Sequence, residues 1–249
     1  MTLKGKTLNN NKKAIIKKES LPPATINAGI KEGLEEGVDR EDLLIPRSSL
    51  LQALSPAVTE GIEGCKSGTV VNSITNTKLP EEFIPLFLFV EFIKFNPRDK
   101  KDENFDPAYE PGQLIWKIKD RNDPRIKETK FGEDGAKPTA QKTINFLSYF
   151  PGEPMPIVVS FSKTSYKAGK KLLSLVSFAE EKEIYARKYK LQVKQADKEG
   201  IKYFVLDVTQ AGKCNDKEFA IAKTLYTRFR GKELQVHDTD AKLKEEEAE

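Results

Sequence analysis

One histidine, two cysteines, two methionines and one tryptophan in 249 residues leave few of the side chains from which catalytic sites are usually built. The single histidine, His237, stands in an acidic C-terminal stretch. That removes nearly every mechanism resting on a histidine base or a histidine metal ligand. Cys65 and Cys214 lie far apart, which argues against a disulfide framework and suits a reducing compartment; both read as half-buried small side chains. No stretch approaches the roughly 20 apolar residues that cross a bilayer. The most apolar run, residues 83–95, is interrupted by Pro85, Glu91 and Lys94 and reads as a core strand. The basic N-terminus lacks the apolar h-region and cleavage site of a secretory signal, so a cytoplasmic location and no membrane partner are expected.

Other absences narrow the chemistry further. Gly61, Gly64 and Gly68 match neither the phosphate loop nor the dinucleotide fingerprint, and Cys65 has no partner at zinc-ligand spacing. Asp123, Glu128 and Lys130 echo the acid, acid, lysine set of a magnesium nuclease. The two acids are close together in a proline-containing loop, however, and a metal site needs ligands on rigid elements. No cofactor, no metal and no catalysis are expected.

What is present is an uneven distribution of charge. The net charge is only +4, from 42 basic and 38 acidic residues. Residues 1–18 nevertheless carry six lysines and no acid, and residues 231–249 carry seven acids against three lysines. Residues 1–20 are rich in Lys and Asn without a sustained period, so a disordered basic N-terminus is expected, followed by one β-rich domain over 21–230 and a disordered acidic tail over 231–249. Within the domain, residues 27–38 form a weak helix candidate with a glycine at every fourth position.

Residues 69–79, 83–95 and 113–119 read as strands, and the Pro, Asp, Asn and Gly runs between and after them read as long loops. Residues 143–150 and 156–161 are strands parted by a PGEP turn. A helix capped by Thr164 follows, with Ala168, Leu172, Leu175, Val176 and Ala179 on one face. Residues 184–194 and 201–210 form a hairpin whose core face carries Phe204, Leu206 and Val208. A final helix over 216–230 has Asn215 and Glu218 placed as a capping box and Gly231 as its stop. Strand, helix, hairpin over 156–210 fits an OB barrel, as it fits other α+β plans. The fold class is therefore a β-rich α+β fold, with an OB-type barrel core, long loops, a C-terminal helix and disordered ends.

The strongest chemical signal is basic residues interleaved with aromatics. Residues 161–190 hold eight basic residues against three acids, among them Lys163, Lys167, Lys170, Lys171, Arg187 and Lys188, together with Tyr166, Tyr185 and Tyr189. Single-stranded nucleic acid is held by this pairing, because cations follow phosphates while aromatic faces stack on bases. Trp116 with Lys117, and Tyr203 opposite the core face of its strand, extend the candidate platform. The same tyrosines suit a barrel core with hydroxyls at the rim equally well, and the lysines an ordinary solvated face.

The segments FPGEPMPIVVSFSKTSYKAGKKLLSL (150–175), IYARKYKLQV (184–193), EFAIAKTLYTRF (218–229) and EDLLIPRSSLLQALSPAV (41–58) resemble single-stranded DNA-binding or replication-associated proteins of tailed bacteriophages, across roughly residues 40–230. The resemblance implies an OB-type core and sequence-nonspecific binding of single-stranded DNA, without catalysis, in phage DNA replication or recombination. The acidic end DTDAKLKEEEAE is similar to tails with which such proteins recruit replication proteins and cover their own groove. It departs from several of these families by ending on Glu249 instead of phenylalanine. A phage structural or assembly protein without nucleic-acid binding is the alternative, and oligonucleotide gel shifts separate the two.

Overall fold

The computed structural model describes residues 44–237 apart from Asp134 and Glu199. The basic N-terminus, the helix candidate over 27–38 and residues 238–249 of the acidic tail lie outside the described residues. The described part opens with β1 (Leu44–Ile45), β2 (Ser48–Leu50), the one-turn helix α1 (Pro56–Thr59) and β3 (Val70–Asn72). The long strands β4 (Glu82–Phe95), β5 (Leu114–Ile118), β6 (Gln141–Tyr149) and β7 (Ile157–Phe161) follow. Helix α2 (Tyr166–Ser177), the ribbon strands β8 (Arg187–Lys198) and β9 (Ile201–Lys213), helix α3 (Asp216–Phe229) and β10 (Gln235–Val236) complete the order.

The apolar run becomes β4 because both of its faces are buried. Phe83 joins one core with Phe146, Phe161, Leu172, Tyr189 and Val208. Ile84 and Leu86 join a second core with Leu147, Val158, Tyr185 and Ala222. A strand covered on both sides reads as a continuous apolar run instead of an alternating one. Pro85, which donates no ladder hydrogen bond, sits where the β4–β6 register shifts, between Pro85 and Phe87, a position at which a strand tolerates proline.

The main sheet is antiparallel, in the order β7-β6-β4-β8-β9 with β5 on β4. Its two ends share one core, since Val159 and Phe161 of β7 cluster with Leu206 and Val208 of β9. The sheet therefore curls around that core. Helix α2 packs its Ala168 and Leu172 into it, and α3 covers the second core on the other face with Ala222, Phe219, Leu225 and Tyr226. The capping box of α3 is formed, with Asn215 Oδ1 accepting from the Glu218 N–H at 2.8 Å and the Glu218 carboxylate accepting from the Asn215 N–H at 3.0 Å.

The β-rich antiparallel architecture follows the sequence expectation, whereas the OB-type barrel is not confirmed. β7 and β9 do not pair, so the sheet is open. The segment from β1 to β3 spans the gap by local contacts: Arg47 bridges Val158 on β7, and the Gln52 side chain bonds Phe204 on β9. A second correction concerns α2. Thr164 is not its cap; the N-cap is Ser165, reached through a 3-10 turn over Lys163–Ser165. The Ser165 hydroxyl accepts instead from the Leu206 N–H at 3.2 Å, tying the helix start to the edge of β9.

The long loop after β4 is organised by one buried side chain. Asn96 donates through Nδ2 to the carbonyls of Asp106 and Tyr109 at 2.9 and 2.8 Å, and its Oδ1 accepts from the Asp106 N–H at 2.9 Å. A segment that reads as polar linker thereby becomes a tethered loop beside the sheet.

Candidate nucleic-acid interface

Helix α2 is placed by a close approach. A Cβ at Gly169 would lie 2.6 Å from the Cβ of Phe161, so only glycine lets the helix backbone sit this near β7. With Ala168, Gly169 and Leu172 turned inward, the helical period carries Tyr166, Lys167, Lys170 and Ser174 outward with Lys163 and Thr164 of the preceding turn. These six residues and Lys171 line one open depression. Tyr166 is half-buried, its inner edge packed against the first core.

Lys163 also lines a second depression, with Phe95, Asn96, Arg98, Gly112, Gln141 and Ser162. Its φ is +45°, a left-handed backbone conformation that costs about 1 kcal/mol or more for a residue with a Cβ. The strained residue is the one that joins the two depressions.

The remaining expected site residues divide sharply. Lys171 donates to Asp207 at 2.9 Å. Arg187 is held by Glu181, whose carboxyl is drawn down to about 2 by hydrogen bonds from Arg187 and then Lys213. Lys188 bridges Glu218 at 3.2 Å and Glu82 at 3.3 Å, and the Glu218 bond in the first place raises its pKa. Lys117 lies 3.4 Å from the buried carboxylate of Glu91. By contrast Lys163, Lys167 and Lys170 have no carboxylate within ion-pair distance among the described residues.

The aromatic part of the expectation needs correction. Tyr189 is 1% exposed and packs on Phe83, and Tyr185 is 8% exposed and packs on Phe219 and Tyr226. Desolvation raises the pKa of both phenols. Neither ring face can receive a base; both are core, because β8 pairs with β4 at Phe83 and the turn before it lies under α3. Trp116 sits half-buried on β5 with the Arg125 guanidinium 5.6 Å from its ring centroid. Tyr203 is half-buried on β9. The structure thus brings Lys163, Tyr166, Lys167, Lys170 and Lys171 onto one face.

Arg98 in the second depression, and Asp207 as the partner of two lysines, were not legible in the sequence. Arg98 lies in a polar loop with no periodic pattern, and Asp207 is the one acid in an otherwise apolar and polar strand. The nuclease-like set does not assemble: Asp123 caps a 3-10 turn and is held down to about 2 by its side-chain bond from Arg125, while Glu128 pairs with Lys94 at 2.8 Å. No group of three or more potential metal ligands occurs among the described residues. No described helix is long and apolar enough to cross a membrane.

The sequence model of one family, described as Pam3 phage gp34-like protein, matches residues 16–235. No curated protein and no solved structure matches the chain. The match takes in both depressions, helices α1 to α3 and every strand of the main sheet, and the chain therefore belongs to the Pam3 phage gp34-like family of bacteriophage proteins.

Proposed function

We propose that this phage protein binds single-stranded DNA without sequence preference and without catalysis, in phage DNA replication or recombination. One observation carries the reading: Lys163, Lys167 and Lys170, each without a carboxylate partner among the described residues, share an exposed helix face with the half-buried ring of Tyr166. Cations free of internal partners are available to phosphates, and a ring beside them is available to a base. The OB-type reading of the curled sheet belongs to the same proposal, as does recruitment of replication proteins by the acidic end.

Gel shifts with a labelled oligothymidylate, run with and without magnesium, test it. A shift in both conditions, with the oligonucleotide intact and the shift lost in a K163A/K167A/K170A variant, is the expected result. No shift by the parent protein overturns the proposal.

A second reading, a phage structural or assembly protein without nucleic-acid binding, draws on a different observation. Leu54, Phe178 and Ile201 are apolar and well exposed, and exposed apolar side chains can mark contacts with other subunits. That reading predicts no shift at any salt concentration.

A further inference from the structure

We infer that the DNA strand held on α2 continues past Asp207 onto the outer face of the β8–β9 ribbon, where Tyr203 is a stacking platform; the inference rests on the single-strand-binding reading. The ribbon register pairs Leu191 with Val208 and Val193 with Leu206, and Leu191, Leu206 and Val208 are buried in the first core. Strand alternation then sends Lys190, Lys194 and Lys198 to the opposite face with Tyr203 and Asp207. The three lysines recur at every fourth residue, about 13 Å apart at roughly 3.3 Å per residue.

Tyr203 is paired with Ala196, so no bulky side chain stands opposite its ring, and the register places Lys194 beside Val205 and Lys198 beside Ile201 on either side of it. The tyrosine has no aromatic partner among the described residues. A ring facing an alanine and beside Lys198, which is unpaired among the described residues, has the composition that single-strand binding uses: a phosphate goes to the free ammonium group and a base to the ring, while Lys194 on the other side is held by Asp207.

Asp207 is the only acid on this face between Lys190 and Lys198 and between Ile201 and Thr209. Its carboxylate is already committed. It accepts from Lys171 of α2 at 2.9 Å, from Lys194 of the ribbon, and from the Val208 N–H at 2.8 Å. Burial opposes ionisation there, yet the two lysine bonds prevail and hold the carboxyl below its ordinary range. Two ammonium groups on one carboxylate leave a net positive join between the helix face and the ribbon face. A polyanion crossing this join meets no unneutralised acid.

Photocrosslinking of the full chain to an oligothymidylate carrying 5-iododeoxyuridine, with the modified residues mapped by mass spectrometry, tests the path. Adducts at both Tyr166 and Tyr203 are expected. Adducts at Tyr166 alone overturn the ribbon path while leaving the binding reading intact, and absence of binding in the gel shift overturns both. In titrations with a long oligothymidylate, Tyr203→Ala should weaken binding about tenfold or more, as loss of one base–aromatic stack does, while Tyr203→Phe should keep the parent affinity. Parent affinity in Tyr203→Ala overturns the inference. Should Tyr203→Ala fail to fold, a Lys198→Gln variant, altered only at an exposed position that has no carboxylate partner among the described residues, should reduce the slope of log affinity against log salt by about 0.7; an unchanged slope counts against the ribbon path.

Discussion

Gln52 and Phe204 exchange two hydrogen bonds: the Gln52 Nε2 donates to the Phe204 carbonyl at 2.9 Å, and the Phe204 N–H donates to Gln52 Oε1 at 2.9 Å. One carboxamide therefore mimics a neighbouring strand at the edge of β9. Two positions on, the Leu206 N–H is taken by Ser165. An open sheet edge is a template for unwanted pairing, and side chains occupy this one. Gly68 adds to the seal, because a Cβ there would lie 2.8 Å from the Phe204 ring.

Removing the plug should expose the edge. Gln52→Ala is expected to lower stability by about 1–3 kcal/mol, the range for leaving a half-buried polar group unpaired. Urea unfolding reads the loss, and hydrogen exchange should accelerate at the Phe204 amide more than at amides of β6. Unchanged exchange at Phe204 would mean that the carboxamide is not what protects it.

Gly169→Ala pits two local effects against each other. Alanine favours the helix by about 1 kcal/mol over glycine, but its Cβ would stand 2.6 Å from Phe161 Cβ and 3.0 Å from Phe161 Cγ. Both contacted atoms belong to a side chain buried at the core. Overpacking costs about 1–3 kcal/mol, so the net effect is destabilisation of up to about 2 kcal/mol. A variant as stable as the parent in urea would show that α2 can move away from β7.

Acid should weaken the fold through Glu181. Its carboxyl is lowered from 4.5 to about 2 by the bonds from Arg187 and Lys213. A depressed carboxyl stabilises the fold fully above its unfolded value, and that contribution is lost as pH falls through the folded one. Glu181→Gln should therefore melt below the parent at pH 6, with the gap closing between pH 4.5 and pH 2. A gap of constant size across that window would remove Glu181 from the acid response.

Binding of single-stranded DNA should fall linearly in log salt, by about 0.7 in slope for each phosphate neutralised. The K163A/K167A/K170A variant should flatten that slope by about 2. Lys188→Ala serves as the contrast, because its ammonium is held by Glu218 and Glu82. It should cost stability and leave the slope unchanged, and an equal flattening by both would mean that internal pairing does not decide which lysines meet DNA.

Local patterns carried much of this architecture. The 83–95 run, the 143–150 and 156–161 strands, the alternation of Phe204, Leu206 and Val208, and the capping box at Asn215 and Glu218 all depend on neighbours within a turn or a few residues. Period and cap chemistry act over that range, so these elements were legible from the amino acids alone. The outward lysines of α2 followed from the same helical period, since a buried Ala168 and Leu172 oblige Lys167 and Lys170 to face out; Lys163 joins them from the 3-10 turn before the helix.

What tertiary structure decided was the fate of each charge and ring. Tyr185 and Tyr189 look no different from Tyr166 and Tyr203 in a basic stretch, yet docking against α3 and β4 buried the first two. Lys188 reads as a surface cation until β4 and α3 bring Glu82 and Glu218 to it, and Lys171 until the ribbon brings Asp207. The gap between β7 and β9 was likewise set by how the segment around Arg47 and Gln52 meets strands more than a hundred residues away. Pairing energies between distant residues depend on geometry that no local period encodes. The composition of the amino-acid chain therefore fixed how much positive charge this phage protein carries, and the packing of distant strands determined which of it faces outward.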